Sequence, residues 1–146
     1  MMNKVQANLV LKMGIALFST KQSVTEIGIS LNEIYTDDDI TSGGFWLYNI
    51  QTKECYYSDK FLNSLGYNKK DVANNTDFLY KTADVSALEK GFKMINDLIV
   101  SRSESSFINY LDYTHKDGSI VKVECCGTVF YKRNEPIIVF GTHILM

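Results

Sequence analysis

The sequence predicts an α+β domain: one antiparallel sheet of five strands with helices packed on a single face, preceded by a helical N-terminal extension. Three observations carry this expectation. Strand-like runs come as two near the start of the domain and three at its end, with helical periodicity between them. Asp117-Gly118 stands between two such runs, a strong hairpin signal of the type I′ kind, which asks positive φ of both central residues. Leu88, Phe92, Ile95 and Ile99 step by four, three and four, the spacing of one helix face. Strands that pair with sequence neighbours and helices grouped in the middle close most simply with the helices on one side of the sheet.

Residues 1–42 form the extension, as two helices and a linker. The first helix carries Val5, Leu9, Met13 and Leu17 at four-residue steps. The second opens with Ser23 and Glu26 in capping-box spacing and continues with Val24, Ile27, Leu31 and Ile34 on one face. Asp37, Asp38 and Asp39, then Gly43-Gly44, end the helical pattern, so Thr36 to Gly44 reads as the linker. Residues 43–146 form the main domain. FWLYNI and CYY are aromatic-rich strands joined by the polar loop Gln51 to Glu54. Ser58 is placed to cap a short helix, DKFLNSL, that Gly66 stops. Short helical turns are expected over Asn68 to Tyr80, and Asp84 caps the long amphipathic helix. Three strands follow: SFINYLDYTH, IVKVECCGTVFY and PIIVFGTHILM. In the middle one Val121, Val123 and Cys125 alternate with Lys122 and Glu124, so the first set faces the helices. The last strand is apolar on both faces, which asks for cover on its outer side; the N-terminal helices of the same chain or of a second copy can supply it.

A chain of 146 residues with 45% apolar and 22% charged residues is long enough for one core and far from a disordered composition. A net charge of −2 with two arginines, Arg102 and Arg133, gives no basic face for nucleic acid. The apolar runs Leu9 to Phe18 and Ile137 to Met146 are too short to span a membrane, and Cys55, Cys125 and Cys126 have no metal-type spacing. Free thiols and a cytoplasmic location are the expectation. The catalytic inventory is thin. His115 beside the Lys116-Asp117-Gly118 turn reads as an exposed turn residue, and His143 as a packed or edge residue of the last strand. There is no nucleophile elbow, zinc-helix motif, phosphate loop or dinucleotide fingerprint. Asp37 to Asp39 lacks the ligand spacing of a calcium loop. No catalytic residue, no metal and no enzymatic activity are therefore expected.

Gly44-Phe45-Trp46-Leu47-Tyr48-Asn49, Tyr57-Ser58 with Phe61, Leu65-Gly66-Tyr67, His115-Lys116-Asp117-Gly118-Ser119, Gly127, and Pro136 through Gly141 follow one another in a fixed order. This ordered set resembles the PAS sensor domains of bacterial signalling proteins over about residues 43–146. The chain departs from that pattern at Lys81-Thr82-Ala83-Asp84, where the family has His-Pro before the capping acid, at Leu111, at Lys122, and at Leu145-Met146 in place of a closing Asp-Ile-Thr. The resemblance implies a sensory or regulatory module, in two-component or cyclic-nucleotide signalling, whose output kinase or cyclase domain lies outside this chain. Partners are then a second copy, bound through the N-terminal helices or the outer sheet face, and that output domain.

The family binds haem, flavins, small acids or nothing, so the cofactor is open. A covalent flavin is disfavoured because Asp71 to Asp84 holds no cysteine. Haem is disfavoured because Asp84 to Glu104 holds no histidine, which leaves only Met94 or His143 as candidate ligands. Phe78, Leu88, Phe92, Ile95, Val123 and Cys125 are the expected lining of an apolar pocket for a small ligand. Two alternatives stand beside this one, a ligand-free interaction or dimerisation module with a filled core and a GAF-type sensor domain. A small enzyme with a cone-shaped pocket would need an ionisable pair that these lining residues do not supply.

Overall fold

Ser23 and Glu26 exchange hydrogen bonds in a capping box, Glu26 N to Ser23 Oγ at 3.1 Å and Ser23 N to Glu26 Oε1 at 3.3 Å, and so start α1 (Val24–Ile34). The computed structural model describes residues 23–34, 42–102 and 106–146. The expected helix over Val5 to Leu17 and the linker up to residue 41 lie outside the described residues. Strands β1 (Phe45–Asn49) and β2 (Cys55–Tyr57) form the first hairpin, with Asn49 Oδ1 accepting from Gln51 N and Thr52 N in its loop. Next come α2 (Asp59–Ser64), a short 3₁₀ turn (Lys69–Asp71), α3 (Asp77–Thr82) and α4 (Val85–Ser101). β3 (Phe107–Thr114), β4 (Ile120–Lys132) and β5 (Glu135–Leu145) complete one antiparallel sheet in the order β2-β1-β5-β4-β3.

The caps are those the sequence places. Ser58 is fully buried, and its Oγ accepts from Phe61 N in α2 and from Phe45 N in β1, so one hydroxyl both caps the helix and ties it to the sheet. Gly66 ends this segment with φ +82°, and Asp84 caps α4 through Ser86 N. Asp84 N also donates to Asp112 O, which fixes the start of α4 on β3.

The sheet has two buried faces. α2, α3 and α4 pack on the inner one, against Cys55, Tyr57, Leu111, Tyr113, Val123 and Cys125, and farther along against Val129 and Val139. α1 takes the outer face instead. Its Val24, Ile27 and Leu31 bury against Phe45, Leu47, Tyr56, Ile138 and Phe140. The second N-terminal helix thus covers its own sheet on the β2-β1-β5 side, and Gly28 permits the close approach: a Cβ there would stand 2.2 Å from the Tyr56 ring. On the β3-β4 side of the same face Tyr110 and Ile120 are exposed.

Two turn expectations need correction. The Asp117-Gly118 hairpin is not type I′, because only Gly118 has positive φ; Gly118 N donates to His115 O and His115 N to Ser119 O, which makes a five-residue loop closed on a left-handed glycine. The residues with two successive positive φ values are Arg133 (53°) and Asn134 (67°), between the paired Lys132 and Glu135, so the two-residue turn joins β4 to β5. His115 is not an exposed turn residue either. It is half-buried against Gly66, and the Lys116 N to Leu65 O bond docks this hairpin on the end of α2.

Candidate ligand pocket

Between α4 and the inner face lies a cavity of about 40 Å³. Its walls come from β1 (Trp46, Leu47, Tyr48), β2 (Cys55, Tyr57), α3 (Leu79), α4 (Leu88, Gly91, Phe92, Ile95), β3 (Phe107, Asn109, Leu111, Tyr113) and β4 (Cys125). Of the residues expected from sequence, Leu88, Phe92, Ile95 and Cys125 surround it. Phe78 and Val123 do not. Phe78 belongs to the adjoining cluster, its ring against Tyr57, Phe61 and Tyr67, and Val123 is buried on β4 opposite Leu111. The residues missed by sequence reasoning are Trp46, Leu47, Tyr48, Cys55 and Tyr57 of β1 and β2, Leu79, Gly91, and the whole inner face of β3. The alternation of β3 (FINYLDYT) did carry that signal, since Phe107, Asn109, Leu111 and Tyr113 share one face.

No lining side chain carries a charge at neutral pH. Burial pushes the Cys55 thiol up to about 11 and the Cys125 thiol up to about 12, and it raises the phenols of Tyr57 and Tyr113 further from ionisation. Three of the polar groups are tied by hydrogen bonds. Tyr57 Oη donates to Asn75 O at 2.6 Å, Trp46 Nε1 to His143 Nε2 at 3.2 Å, and Asn109 Nδ2 to Ala87 O at 2.9 Å. His143 sits behind this wall, fully buried, with its ring 4.7 Å from that of Phe61 and 5.5 Å from that of Tyr113. Because Nε2 accepts from Trp46, the proton of the neutral ring is on Nδ1, which has no hydrogen-bond partner among the described residues. Burial lowers the imidazole to about 3.

A sheet ordered β2-β1-β5-β4-β3, with three helices over one face and a cavity beneath the long one, can be compared with solved structures. A sensory box histidine kinase/response regulator from Burkholderia thailandensis aligns at 15% identity over 73% of this chain and 78% of that one, with a TM-score of 0.57. A light-oxygen-voltage domain studied with a flavin analogue aligns at 21% identity over 71% and 77%, TM-score 0.55, and a cysteine-to-serine mutant of Vivid at 12% over 92% and 97%, TM-score 0.57. The chain has the PAS fold. No protein-family model and no curated protein sequence matches it.

Within this PAS domain a second depression of about 360 Å³ lies between α1 and the 3₁₀ turn, lined by Thr25, Ile29, Tyr56, Leu62, Lys69 and Val72 among others. It is wider, but its one ammonium is already engaged: Lys69 lies over the Tyr56 ring, reaches the Tyr56 hydroxyl, and pairs with Asp59 at 3.5 Å. The inner cavity is the better candidate, since it is apolar and sits where the helices meet the sheet. Among the described residues no group of acidic, histidine and cysteine side chains is placed to hold a metal ion, and no helix is long and apolar enough to cross a membrane.

Proposed function

We propose that this PAS domain is a cytoplasmic sensory or regulatory module of a bacterial signal-transduction protein. It reads a small ligand in the inner cavity and controls an output domain, a kinase or cyclase, outside this chain. It performs no chemistry of its own. The observation that carries the reading is the apolar cavity between α4 and the sheet, whose walls are drawn from four of the five strands and from the long helix. A ligand there touches α4 and the sheet at once, so its binding energy can shift the balance between two arrangements of helix and sheet. The reading disfavours haem and a covalent flavin. A cavity of about 40 Å³ stands against about 300–1,000 Å³ for pockets that enclose drug-sized ligands, and residues 71–84 hold no cysteine for a flavin adduct.

Mass spectrometry under native and denaturing conditions, with an absorption spectrum of the same sample, tests it. A colourless protein that releases no haem or flavin on denaturation is expected, and a small molecule, if retained, is of a size that fits the cavity of about 40 Å³. A ligand-free dimer would instead favour a second reading, an interaction module. That reading draws on the outer face, where Tyr110 and Ile120 are each 58% exposed on neighbouring strands beside the patch that α1 covers.

A further inference from the structure

Asn109 is the one amide in the wall of the inner cavity, and it is 4% exposed. Its orientation is forced. Ala87 O can only accept, so the amide nitrogen must face α4, where Nδ2 donates to it at 2.9 Å. Gly91 makes room for this contact, since a Cβ at that position would stand 2.8 Å from Nδ2. With the nitrogen committed to the helix, the carbonyl oxygen Oδ1 is turned away from Ala87, and Asn109 brings an acceptor to a wall whose other polar groups are the hydroxyls of Tyr48, Tyr57 and Tyr113, the Trp46 indole and two protonated thiols, none of them a cation. A buried acceptor favours a partner that donates, and a site without a cation disfavours an anion.

Resting on the reading of the cavity as a ligand site, we infer that its ligand is a neutral molecule of about three non-hydrogen atoms bearing an O–H or N–H group, held by Asn109 Oδ1. The size follows from the cavity of about 40 Å³, since one water needs about 10–15 Å³ of such space. Carboxylates of the same size are rejected, because nothing in the wall offsets their charge. Affinity is modest: a ligand this small binds no tighter than roughly a millimolar.

The test is an NMR titration of the full chain with formamide, ethanol and formate, each to about 200 mM, a range set by the expected millimolar affinity. The Asn109 side-chain amide and the indole N–H of Trp46, the only tryptophan, are the reporters. Saturable shifts of both signals with formamide and ethanol, and none with formate, are the expected result. The Asn109→Leu variant is expected to weaken formamide binding at least tenfold. Because this variant also loses the bond to Ala87, Leu88→Phe, which fills the cavity and leaves Asn109 in place, is expected to abolish the formamide shifts as well. Formate shifts equal to those of formamide overturn the inference. So does the absence of saturation with either neutral probe, as for a cavity holding only ordered water, and so does a folded Asn109→Leu that binds formamide as well as the parent. A chain that binds formamide at Asn109 with no change in the backbone amide signals of α4 fails the sensory reading and not this one. A carboxylate released on denaturation would do the reverse.

Discussion

His143 is neutral because the fold leaves it no room to be otherwise. Its folded value of about 3 lies below the ordinary value of 6.5, so between these two the unfolded chain binds a proton that the folded chain refuses. The resulting stability is fully present above pH 6.5 and is lost as pH falls toward 3, with a slope of up to about 1.4 kcal/mol per unit. Urea unfolding from pH 7 to 4 is expected to show this fall, and His143→Gln, which can still accept from Trp46 but does not titrate, should flatten it. Equal slopes in the two proteins would mean that other groups govern the acid limb. The cysteines invite a parallel argument. Cys55 and Cys125 are buried thiols raised to about 11 and 12, and Cys126 is buried and raised as well. The thiolate is the reactive form, so iodoacetamide at pH 8 should leave all three unlabelled in the folded protein and label all three after unfolding. Rapid labelling of the native chain would contradict this packing. The sequence reading reached free thiols from the count and spacing of the cysteines. It reached a packed or edge His143 in the last strand but not its partners Phe61, Trp46 and Tyr113, because they come from three separate segments of the chain.

Among the elements, α1 is the one whose place the sequence left between two possibilities, its own sheet or that of a second chain. The helix itself was legible, from the Ser23 and Glu26 box and the spacing of Val24, Ile27 and Leu31. Its docking is decided by Gly28 on the Tyr56 ring and by Asn32 Nδ2 donating to Asp59 at 2.7 Å. Gly28→Ala is expected to destabilise the domain by about 1–2 kcal/mol, since overpacking outweighs the gain of up to about 1 kcal/mol in helix propensity. A higher urea midpoint in that variant would show that the helix stands farther from β2. The hairpins teach a related lesson. Asp-Gly and Arg-Asn both sit between strands, yet the type I′ geometry falls on Arg133-Asn134, a pair with no glycine. Register is set by the long β4-β5 pairing, and that pairing leaves two residues for the turn.

For the whole molecule the question is what covers the outer face of the sheet. Phe45, Leu47, Tyr56, Ile138 and Phe140 form one apolar patch there, closed by α1. A chain beginning at Ser42 would leave this patch open, and exposed patches of that kind drive association. Sedimentation of the truncated chain is expected to show self-association and thermal unfolding a lower Tm than for the full chain. A monomeric, equally stable truncation would mean that α1 contributes little to the domain. The same accounting explains why β5 reads as apolar on both faces: Val139 and His143 face the helices of the inner layer, whereas Ile138 and Phe140 face α1.

The sequence by itself determined the strand and helix order, the caps at Ser23, Ser58 and Asp84, the left-handed stop at Gly66, and the resemblance that led to the PAS fold. These are local matters, decided by periodicity and by backbone groups that seek partners within a few residues. Only the tertiary structure decided which side chains meet around the cavity, why Phe78 and Val123 stand outside it, and why Asn109 turns its oxygen away from α4. Those outcomes depend on the distance between α4 and the inner face. That distance is set by Gly91 against Asn109 and by aromatic rings contributed from β1, β2 and β3, contacts between residues far apart in the chain that no local pattern specifies.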